Sequence, residues 1–352
     1  MGVNAITITM VQELKMGNTY RAIQAIRPGI LELVDLPVAE PGVGQVRVRV
    51  EACGVCHTDC WTVEGNFVPV AYPRVPGHEA VGRIDAVGDN VTGWQVGQRV
   101  GVGFLAGSCG HCPACRRGDF TRCTNQVWTG LHQDGGYAEM MVANASALVA
   151  IPDDLGSEEA APLLCAGITV FKALKKSNAE AGDVVAILGI GGLGHLAIQF
   201  ARKMGYRTVA IARGPEKEEA AKALGAHVYI DSTTSDVGSA LQTLGGAKVL
   251  LSTVTAPNAV SPVVAGLMPH GQVMVLGVAA GMVEIAPADL VARDISVHGS
   301  LTGSAIETED SIAFSALQDI RATIETVPLA NARDAYDRMA RNEARYRIVL
   351  TM

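Results

Sequence analysis

The feature that most constrains the fold is a regular alternation of apolar runs and amphipathic segments between Asp183 and Ser300. The run VVAIL at 184–188 is apolar throughout, as expected of a strand buried on both faces, and LGHLAIQFARKMG after it has helical spacing that ends at Gly205. TVAIA, HVYI, KVLLSTV, QVMVLG and DISVHGS continue the pattern to about six strands. Residues 166–303 are therefore predicted to form an α/β domain with a doubly wound parallel sheet.

A glycine-rich turn joins the first strand of this domain to its first helix. Gly189, Gly191 and Gly194 form the pattern G-x-G-x-x-G at this point. The first glycine allows a tight turn, the second lets a pyrophosphate approach the backbone, and the third lets the helix pack closely against the strand. We interpret the turn, including Gly192 and Leu193, as a dinucleotide-binding site. The alternative is a turn that serves only the fold.

The end of the second strand carries information about the cofactor. An NAD site usually has a carboxylate about twenty residues after the glycines, where it binds the ribose hydroxyls. Here Ala212 ends the strand, and Arg213 and Lys217 follow it. The missing carboxylate and the added cations favour a 2′-phosphate, so NADP(H) is expected to be preferred over NAD(H). The alternative is that Arg213 is only a solvated surface charge. Three carboxylates close to it in the sequence support this alternative: Glu216, Glu218 and Glu219.

The part of the chain before residue 166 has a different pattern. Short strand-like runs are separated by Pro-Gly and Gly-x-Gly turns, and in QVRVRVEA three valines alternate with two arginines, as in a strand with one buried face. That strand leads to Cys56. We predict a β-rich domain over 19–165, to which 304–352 returns, and an N-terminal extension over 1–18.

A cysteine-rich loop lies inside the β-rich part. Cys109, Cys112, Cys115 and Cys123 have the spacing C-x2-C-x2-C-x7-C. Four thiolates this close can form a closed tetrahedral shell around Zn²⁺, which leaves no position for a substrate, so the site is predicted to be structural. An iron-sulfur cluster is the alternative, although the spacing to the last cysteine differs from the common ferredoxin pattern.

A second group of metal-ligand residues lies between Cys53 and Glu79, in the motifs CGVCHTD and PGHE. On the residues alone, Cys53 and Cys56 could be a redox pair and His78 a buried structural histidine. A metal site that also uses the distant Cys165 is the third interpretation.

Composition disfavours several classes of partner. The chain has 352 residues and a net charge of −7, which disfavours nucleic acid or an anionic membrane as the main partner. It contains neither a run of about 20 apolar residues nor a recognisable signal peptide, and its eight cysteines suggest metal ligands rather than disulfides. A cytoplasmic location is expected.

Taken together, the motifs resemble the zinc alcohol dehydrogenases of the medium-chain dehydrogenase/reductase superfamily. GVCHTD, GHE, the four-cysteine loop, LCAGITVFKAL and the glycine-rich turn occur in that family's order, from about Tyr20 to the end of the chain. The sequence is most similar to the bacterial and yeast tetrameric branch. The resemblance implies a GroES-like fold for the β-rich domain and a Rossmann fold for the second domain.

The resemblance also implies a reaction centre. Cys56, His78 and Cys165 would bind a catalytic zinc, with a fourth position open for substrate. Asp59 would orient His78, and Glu79 would approach the metal when ligands exchange. Zinc in this family is a Lewis acid that lowers the pKa of the alcohol while hydride passes to the nicotinamide.

Further roles around the cofactor and the substrate follow from the same resemblance. The Thr58 hydroxyl would be the first group of a proton relay through the cofactor ribose. The residues implied to contact the cofactor are Thr169 beside the nicotinamide, His57 and Arg345 at the pyrophosphate, and Val278. Phe104 and Trp61 are implied to line the substrate pocket.

One position departs from the family pattern. Many relatives have a histidine five residues after the first zinc ligand, where it ends the proton relay, and this chain has Trp61 there. The proton must leave by another route, so a weaker pH dependence around neutrality is expected. An unchanged pH profile in a Trp61→His variant would count against that expectation.

The leading hypothesis is a zinc-dependent alcohol dehydrogenase or aldehyde reductase that acts on primary alcohols and aldehydes, with two zinc ions per chain. A polyol or secondary-alcohol dehydrogenase of the same superfamily is the alternative, and a non-catalytic zinc- and nucleotide-binding protein is the alternative outside enzymes. The resemblance also implies a homodimer or homotetramer that associates through the QVMVLG to DISVHGS region.

Overall fold

The computed structural model describes residues 19–278 and 281–352, without the side chain of Pro257, so the predicted extension 1–18 lies outside the described residues. The chain divides into two compact units. The first contains the chain up to Leu164 together with Glu325–Ala344 and Ile348–Met352, and the second contains Cys165–Ile324 and Arg345–Arg347.

The first unit consists mainly of antiparallel strands. Its strands are β1 (Thr19–Arg27), β2 (Ile30–Pro37), β3 (Gln45–Val55), β4 (Ala80–Val87), β5 (Arg99–Val102), β6 (Leu105–Gly107), β7 (Val127–Trp128), β8 (Met140–Asn144) and β9 (Leu148–Ala150). A seven-stranded sheet has the order β16-β17-β3-β4-β5-β9, in which β16 is Ile324–Pro328 and β17 is Arg347–Thr351, and β8 pairs with β3. Strands β1 and β2 form one two-stranded sheet, and β6 and β7 form another.

Strand β3 is the central element of this sheet. Its valines at 46, 48 and 50 are buried while the arginines between them are more exposed, as the period-two pattern predicts. Neighbouring strands β17, β4 and β8 pair with it, and Cys53 lies opposite Ala80 at the start of β4. Because β3 and β4 are antiparallel, the residues that follow β3 and those that precede β4 lie at the same end of the sheet.

Short helices fill the connections of the first unit. They are α1 (Cys60–Glu64), α2 (Pro113–Arg116), α3 (Ser157–Ala160) and, near the end of the chain, α11 (Ala332–Ala340). A 3₁₀ turn over His57–Asp59 precedes α1 directly.

The second unit alternates strands and helices as the sequence predicts. Its elements in chain order are α4 (Ala166–Lys176), β10 (Val184–Leu188), α5 (Gly194–Lys203), β11 (Arg207–Ala212), α6 (Glu218–Ala223), β12 (Val228–Asp231), α7 (Val237–Thr243), β13 (Ala247–Ser252), α8 (Ser261–Val264), β14 (Leu267–Val275), α9 (Pro287–Arg293), β15 (Ser296–Gly299) and α10 (Ala305–Gln318). The six strands are all parallel in the order β12-β11-β10-β13-β14-β15. This is the doubly wound order of a dinucleotide-binding domain, so the predicted fold class is confirmed.

The division into units differs from the predicted domains in the segment that contains α10. The sequence assigns 304–352 to the first domain, whereas residues up to Ile324 cluster with the second unit. Three phenylalanines explain this: Phe314 of α10 lies 5.5 Å from Phe171 of α4 and 6.0 Å from Phe200 of α5. An ion pair of 3.0 Å between Lys172 and Glu307 adds to the same contact.

Within the described residues, every helix is too short or too polar to cross a membrane.

Candidate active site

Four side chains with metal-binding atoms meet where β3 ends and β4 begins. Cys56 follows β3, and His78 and Glu79 precede β4. Cys165 directly follows Leu164, the last residue of this part of the first unit. One ligand atom from each of these residues lies within 4.8 Å of the others. The chain therefore brings together the three predicted zinc ligands and the predicted exchange carboxylate.

His78 is oriented on one side and open on the other. Its side chain is 2% exposed, and Nδ1 lies 2.8 Å from Oδ1 of Asp59. Within the described residues, Nε2 has no hydrogen-bond partner although it is buried. A buried imidazole nitrogen without a partner is costly unless something binds it, and a metal ion beside two thiols meets that need. The residues present therefore fit a zinc ion.

Asp59 links three parts of the site. Besides its contact with His78, its Oδ2 accepts hydrogen bonds from the backbone N–H of Cys56 at 2.9 Å and from the Tyr137 hydroxyl at 2.8 Å. Both Asp59 and Tyr137 are buried, at 2% and 0% exposure. The carboxylate thus fixes His78 and the backbone of Cys56 at once. Tyr137 was not identified from the sequence, because nothing in GGYAE indicates which residue its hydroxyl meets.

The electrostatics of this group favour a cation. Burial alone would lower the pKa of His78, but the charges of Asp59 and Cys56 outweigh it and raise the pKa well above its usual value. A metal ion at Nε2 would supply the positive charge in place of that proton. The neighbouring Cys60 behaves differently, since burial and the charge of Asp59 raise its pKa to about 11 and keep it a thiol.

The four-cysteine loop forms a separate cluster. The sulfur atoms of Cys109, Cys112, Cys115 and Cys123 also lie within 4.8 Å of one another. Backbone N–H groups point at the sulfurs: Cys109 N lies 3.3 Å from Cys123 Sγ, and Cys112 N lies 3.4 Å from Cys109 Sγ. The N–H groups of Cys115 and Thr124 lower the pKa of Cys112 to about 5. Donors aimed at thiolates suit a metal shell formed entirely by sulfur.

The glycine-rich turn after β10 has the geometry of a phosphate-binding turn. Gly189 has a φ of +94°, and a Cβ on Gly194 would overlap the carbonyl oxygen of Gly189. Around Gly191, by contrast, there is nothing within 4 Å of an added Cβ. The turn is therefore tight at its first and third glycines and open at the second, where a pyrophosphate would approach.

Known proteins resemble the chain over most of its length. The family models that match describe an alcohol dehydrogenase GroES-like domain, at residues 42–153, and a zinc-binding dehydrogenase, at residues 192–317. The alcohol dehydrogenase patD of Aspergillus clavatus is 41% identical, with 93% of this chain and 90% of that protein covered. The chain belongs to the zinc-dependent alcohol dehydrogenases of the medium-chain dehydrogenase/reductase superfamily.

Solved structures agree with this membership. A cinnamyl alcohol dehydrogenase from Sorghum bicolor superposes with a TM-score of 0.87 at 30% identity, covering 95% of this chain and 97% of that one. The CAD of Helicobacter pylori, solved with NADP(H), gives a TM-score of 0.85 at 26% identity over 96% and 99% of the two chains. The family description that matches residues 192–317 names zinc binding, and the second of these structures was solved with NADP(H).

The end of β11, where the sequence predicts cofactor choice, is rich in charge. Arg213 is exposed, and Lys217 Nζ lies 3.4 Å from the carbonyl oxygen of Ile190 in the glycine-rich turn. The Glu216 carboxylate lies against Gly214, because a Cβ added to Gly214 would overlap it. The end of β11 in this alcohol dehydrogenase therefore carries the predicted cation Arg213 and also a competing carboxylate, that of Glu216.

A second arginine, besides the one that the resemblance implies, lies against the glycine-rich turn. Arg345 is exposed, whereas Arg347 is 4% exposed and its Nη1 would lie 3.0 Å from a Cβ on Gly192. His195 is buried beside them, with Nδ1 3.0 Å from the carbonyl oxygen of Gly191 and its ring stacked on Tyr346. The run RYRIVL predicted a strand that includes Arg347, but it did not show at which residue that strand begins.

The remaining predicted residues are distributed over both units. In the first unit, Thr58 is half-buried in the 3₁₀ turn and His57 is exposed. In the second, Thr169 is 8% exposed in α4 and Val278 is 52% exposed after β14. The predicted pocket residues Phe104 and Trp61 lie with their rings 6.1 Å apart, and Phe104 contacts His78 edge-on at 5.4 Å.

Proposed function

We propose that this protein interconverts primary alcohols and aldehydes, with a catalytic zinc held by Cys56, His78 and Cys165 and with NADP(H) preferred over NAD(H). The observation that carries the proposal is the arrangement around His78. One nitrogen is fixed by Asp59, and the other is buried without a hydrogen-bond partner among the described residues, within reach of two thiols. Three protein ligands of this kind suit a zinc ion whose fourth coordination position is open to substrate.

The chain's own groups account for the positioning in the reaction. When bound, zinc supplies a Lewis acid that lowers the pKa of the substrate hydroxyl. Asp59 holds the His78 ring so that Nε2 stays the metal-binding atom, and Glu79 lies within the same ligand group. The Thr58 hydroxyl would accept the substrate proton while donating its own onward, so it is the first group of a proton relay and not the final acceptor. Trp61 has no group that titrates, so it cannot carry that proton further.

The preference for NADP(H) rests on the end of β11. Arg213 is positioned after the strand where an NAD enzyme commonly has a carboxylate, and Lys217 stands next to the glycine-rich turn. Asp231, at the end of the neighbouring strand β12, already uses its carboxylate within the protein. Its Oδ1 accepts hydrogen bonds from the backbone N–H of Gly214 at 2.8 Å and from that of Thr233 at 2.9 Å. The charged groups left to contact a 2′-phosphate at this point are therefore the cations Arg213 and Lys217 rather than the carboxylate of Asp231.

The four-cysteine loop is proposed to hold a second zinc ion that serves the fold. Three of its cysteines are nearly buried and its ligands come from thiols alone, which leaves no position for substrate. Zinc analysis of the purified protein should then give two ions per chain.

We further propose that the protein is a homo-oligomer that associates through β15. This strand lies at the edge of the parallel sheet, and large apolar side chains around it are exposed: Val278, Met282, Val291, Val297 and Leu301. Edge strands of this kind commonly pair or are covered. Light scattering should report a dimer or tetramer, and Val297→Lys should shift it toward the monomer.

The test of the activity compares matched variants by steady-state kinetics with alcohols and both cofactors. Thr58→Val should lower kcat by about 100-fold or more, since it removes the proton acceptor, while Thr58→Ser should retain most of it. Cys56→Ser should abolish activity and lose zinc, whereas Cys60→Ser alters a thiol outside the ligand group. A wild-type protein with two zinc ions and no turnover of any alcohol or aldehyde would overturn the proposal.

A further inference from the structure

Four aromatic side chains of the first unit form a continuous group, which we call the aromatic wall: Trp61, Phe67, Phe104 and Trp128. Trp61 stacks on Phe67 at 4.0 Å with an interplanar angle of 14°. Phe104 stacks on Trp128 at 5.3 Å and 27°, and Trp61 contacts both of these rings at 6.1 and 6.3 Å.

The aromatic wall lies outside the described core cluster that contains Tyr137, although Phe104 itself is buried. The core cluster of the first unit contains other aromatic residues, such as Tyr137 and Tyr336, with Trp94 packed against it, but none of the four wall residues. Aromatic residues make up only 5% of the chain, and two of its three tryptophans are in the wall.

The wall begins at a predicted zinc ligand and becomes more exposed away from it. Phe104 contacts the ring of His78 at 5.4 Å and is 5% exposed. Trp61 and Trp128 are half-buried, and Phe67 is 51% exposed. The rings thus extend from the metal-ligand group toward solvent.

Backbone and side-chain hydrogen bonds hold the wall in place. Leu105 pairs with Trp128 across β6 and β7, and the indole N–H of Trp128 donates to Gln126 Oε1 at 2.9 Å. The Thr62 hydroxyl in α1 donates to the carbonyl oxygen of Gly130 at 2.6 Å. The Trp128 ring also stacks on His132, at 5.0 Å and 19°. Because its one polar atom is already bonded and its neighbours are rings, the wall offers a ligand apolar ring surface, which favours apolar groups over polyols.

We propose that the aromatic wall binds the substrate's carbon skeleton, and that the preferred substrates are primary alcohols and aldehydes with a planar aromatic or conjugated group. This rests on the proposed alcohol dehydrogenase activity and narrows its substrate class. Trp128 and Phe67 become specificity-determining residues in addition to the predicted Trp61 and Phe104.

The test compares benzyl alcohol with cyclohexylmethanol, which has the same carbon skeleton without the π system, and with 1-hexanol. Wild-type kcat/KM should be about tenfold higher for benzyl alcohol than for cyclohexylmethanol. Trp128→Leu should raise KM for benzyl alcohol about tenfold and change cyclohexylmethanol about twofold at most. Phe67→Leu, at a half-exposed position, should act in the same direction, and Trp94→Leu should leave the ratio unchanged.

The outcomes separate this inference from the function on which it rests. Turnover of 1-hexanol without any preference for the aromatic alcohol overturns the inference and leaves the dehydrogenase activity standing. Equal losses for both ring substrates in Trp128→Leu and Phe67→Leu also overturn it. No turnover of any of the three alcohols or their aldehydes overturns the proposed function itself.

An independent observation concerns Tyr137. Its hydroxyl donates to Asp59 Oδ2 at 2.8 Å, while Asp59 Oδ1 lies 2.8 Å from His78 Nδ1. The tyrosine is fully buried, and burial together with the charge of Asp59 raises its pKa well above the usual value, so it remains a donor. The chain Tyr137–Asp59–His78 therefore extends from the core cluster to a predicted metal ligand.

We infer that Tyr137 is a positioning residue that keeps Asp59 in the orientation required by His78. Tyr137→Phe removes one oxygen and leaves the ring, so packing changes little. Tyr336→Phe is the matched control, because Tyr336 is also buried, in the same core cluster, and its hydroxyl donates to Glu64 Oε1 at 2.9 Å.

The measurement is the rate at which zinc passes to a chromophoric chelator. Tyr137→Phe should release the less tightly held of the two ions about tenfold faster than wild type, and Tyr336→Phe should not. Replacement by Co²⁺ gives a second readout, since the visible spectrum should shift only in Tyr137→Phe. Equal release rates and unchanged spectra in both variants would show that Tyr137 only fills the core.

Discussion

Gly54 in β3 leaves the space that the Glu79 carboxylate occupies. A Cβ on Gly54 would overlap Oε2 of Glu79 and lie 3.1 Å from its Cβ, while the backbone N–H of Gly54 donates to the carbonyl oxygen of Glu79 at 3.1 Å. Glu79 is fully buried and belongs to the ligand group of the active site. A glycine inside a strand thus determines where a carboxylate lies beside the proposed zinc.

The Gly54→Ala variant should therefore displace Glu79 and destabilise the first unit by about 1–3 kcal/mol. Thermal unfolding and zinc retention are the measurements, and both should fall. Gly44→Ala, at a glycine with nothing within 4 Å of an added Cβ but with a φ of +73°, is the comparison for strain without overlap. Full zinc retention in Gly54→Ala would show that the Glu79 position is unimportant for the metal.

Cofactor choice should respond to two neighbouring charges in opposite directions. Arg213→Ala should lower the ratio of kcat/KM for NADPH over NADH about tenfold, because a cation facing the 2′-phosphate is lost. Glu216→Gln should raise the same ratio, because its carboxylate lies against Gly214 and repels that phosphate. Arg207→Ala, at the opposite end of β11, is the control, and a ratio unaffected by any of the three changes would argue that Arg213 is only a surface charge.

The two arginines near the end of the chain should differ in their effect on cofactor binding. Arg347 is buried against Gly192 of the glycine-rich turn, whereas Arg345 is exposed. Arg347→Ala should raise the cofactor Kd about tenfold or more, since charge-assisted bonds to phosphate are among the strongest polar contacts. Arg345→Ala should have the smaller effect, and the reverse order would restore the original implication for Arg345.

The four-cysteine loop should control stability without taking part in chemistry. Cys112→Ser should lose one zinc ion and cost about 2 kcal/mol or more, which lowers Tm by about 4–8 °C. At temperatures well below the new Tm, kcat per remaining active-site zinc should stay close to wild type. Loss of catalysis in the folded variant, with the other zinc retained, would contradict a structural role.

His195 should make stability fall on acidification. Burial and Arg347 lower its pKa to about 4, and its Nε2 accepts from the backbone N–H of Thr323 at 3.2 Å. The unfolded chain, with a pKa near 6.5, binds a proton first, so stability present above about pH 6.5 is lost as the pH falls toward 4, up to about 3 kcal/mol. The Tm difference between wild type and His195→Gln should therefore shrink between pH 7.5 and pH 5; a constant difference would refute the linkage.

The sequence predicted the second unit more completely than the first. Runs such as VVAIL are apolar throughout, so they identify strands buried on both faces, and the helices between them dictate a parallel sheet. In the first unit, β17 pairs with β3 although nearly 300 residues separate them. No local period encodes such a pairing, and the sequence predicted only that the segment 304–352 returns to the first domain, without its partner strand.

The same distinction applies to the site. Cys56 and His78 are marked by short motifs, but Tyr137 meets Asp59 only through the fold, and Trp128 joins Phe104 only because β6 and β7 pair. Arg345 and Arg347 are two residues apart, and the sequence did not show which of them faces the glycine-rich turn. The individual roles of these residues remain predictions for the experiments above.

The two metal clusters differ in how much of the chain each requires. The four cysteines of the loop lie between residues 109 and 123, whereas the active-site group is completed by Cys165. Closing so short a loop costs little entropy, so during synthesis the loop can acquire zinc while the second unit has yet to be translated. Zinc analysis of ribosome-bound chains of increasing length should detect this ion first. Under the proposed function, the structural zinc site can therefore form before Cys165 has been synthesised, and the catalytic site cannot.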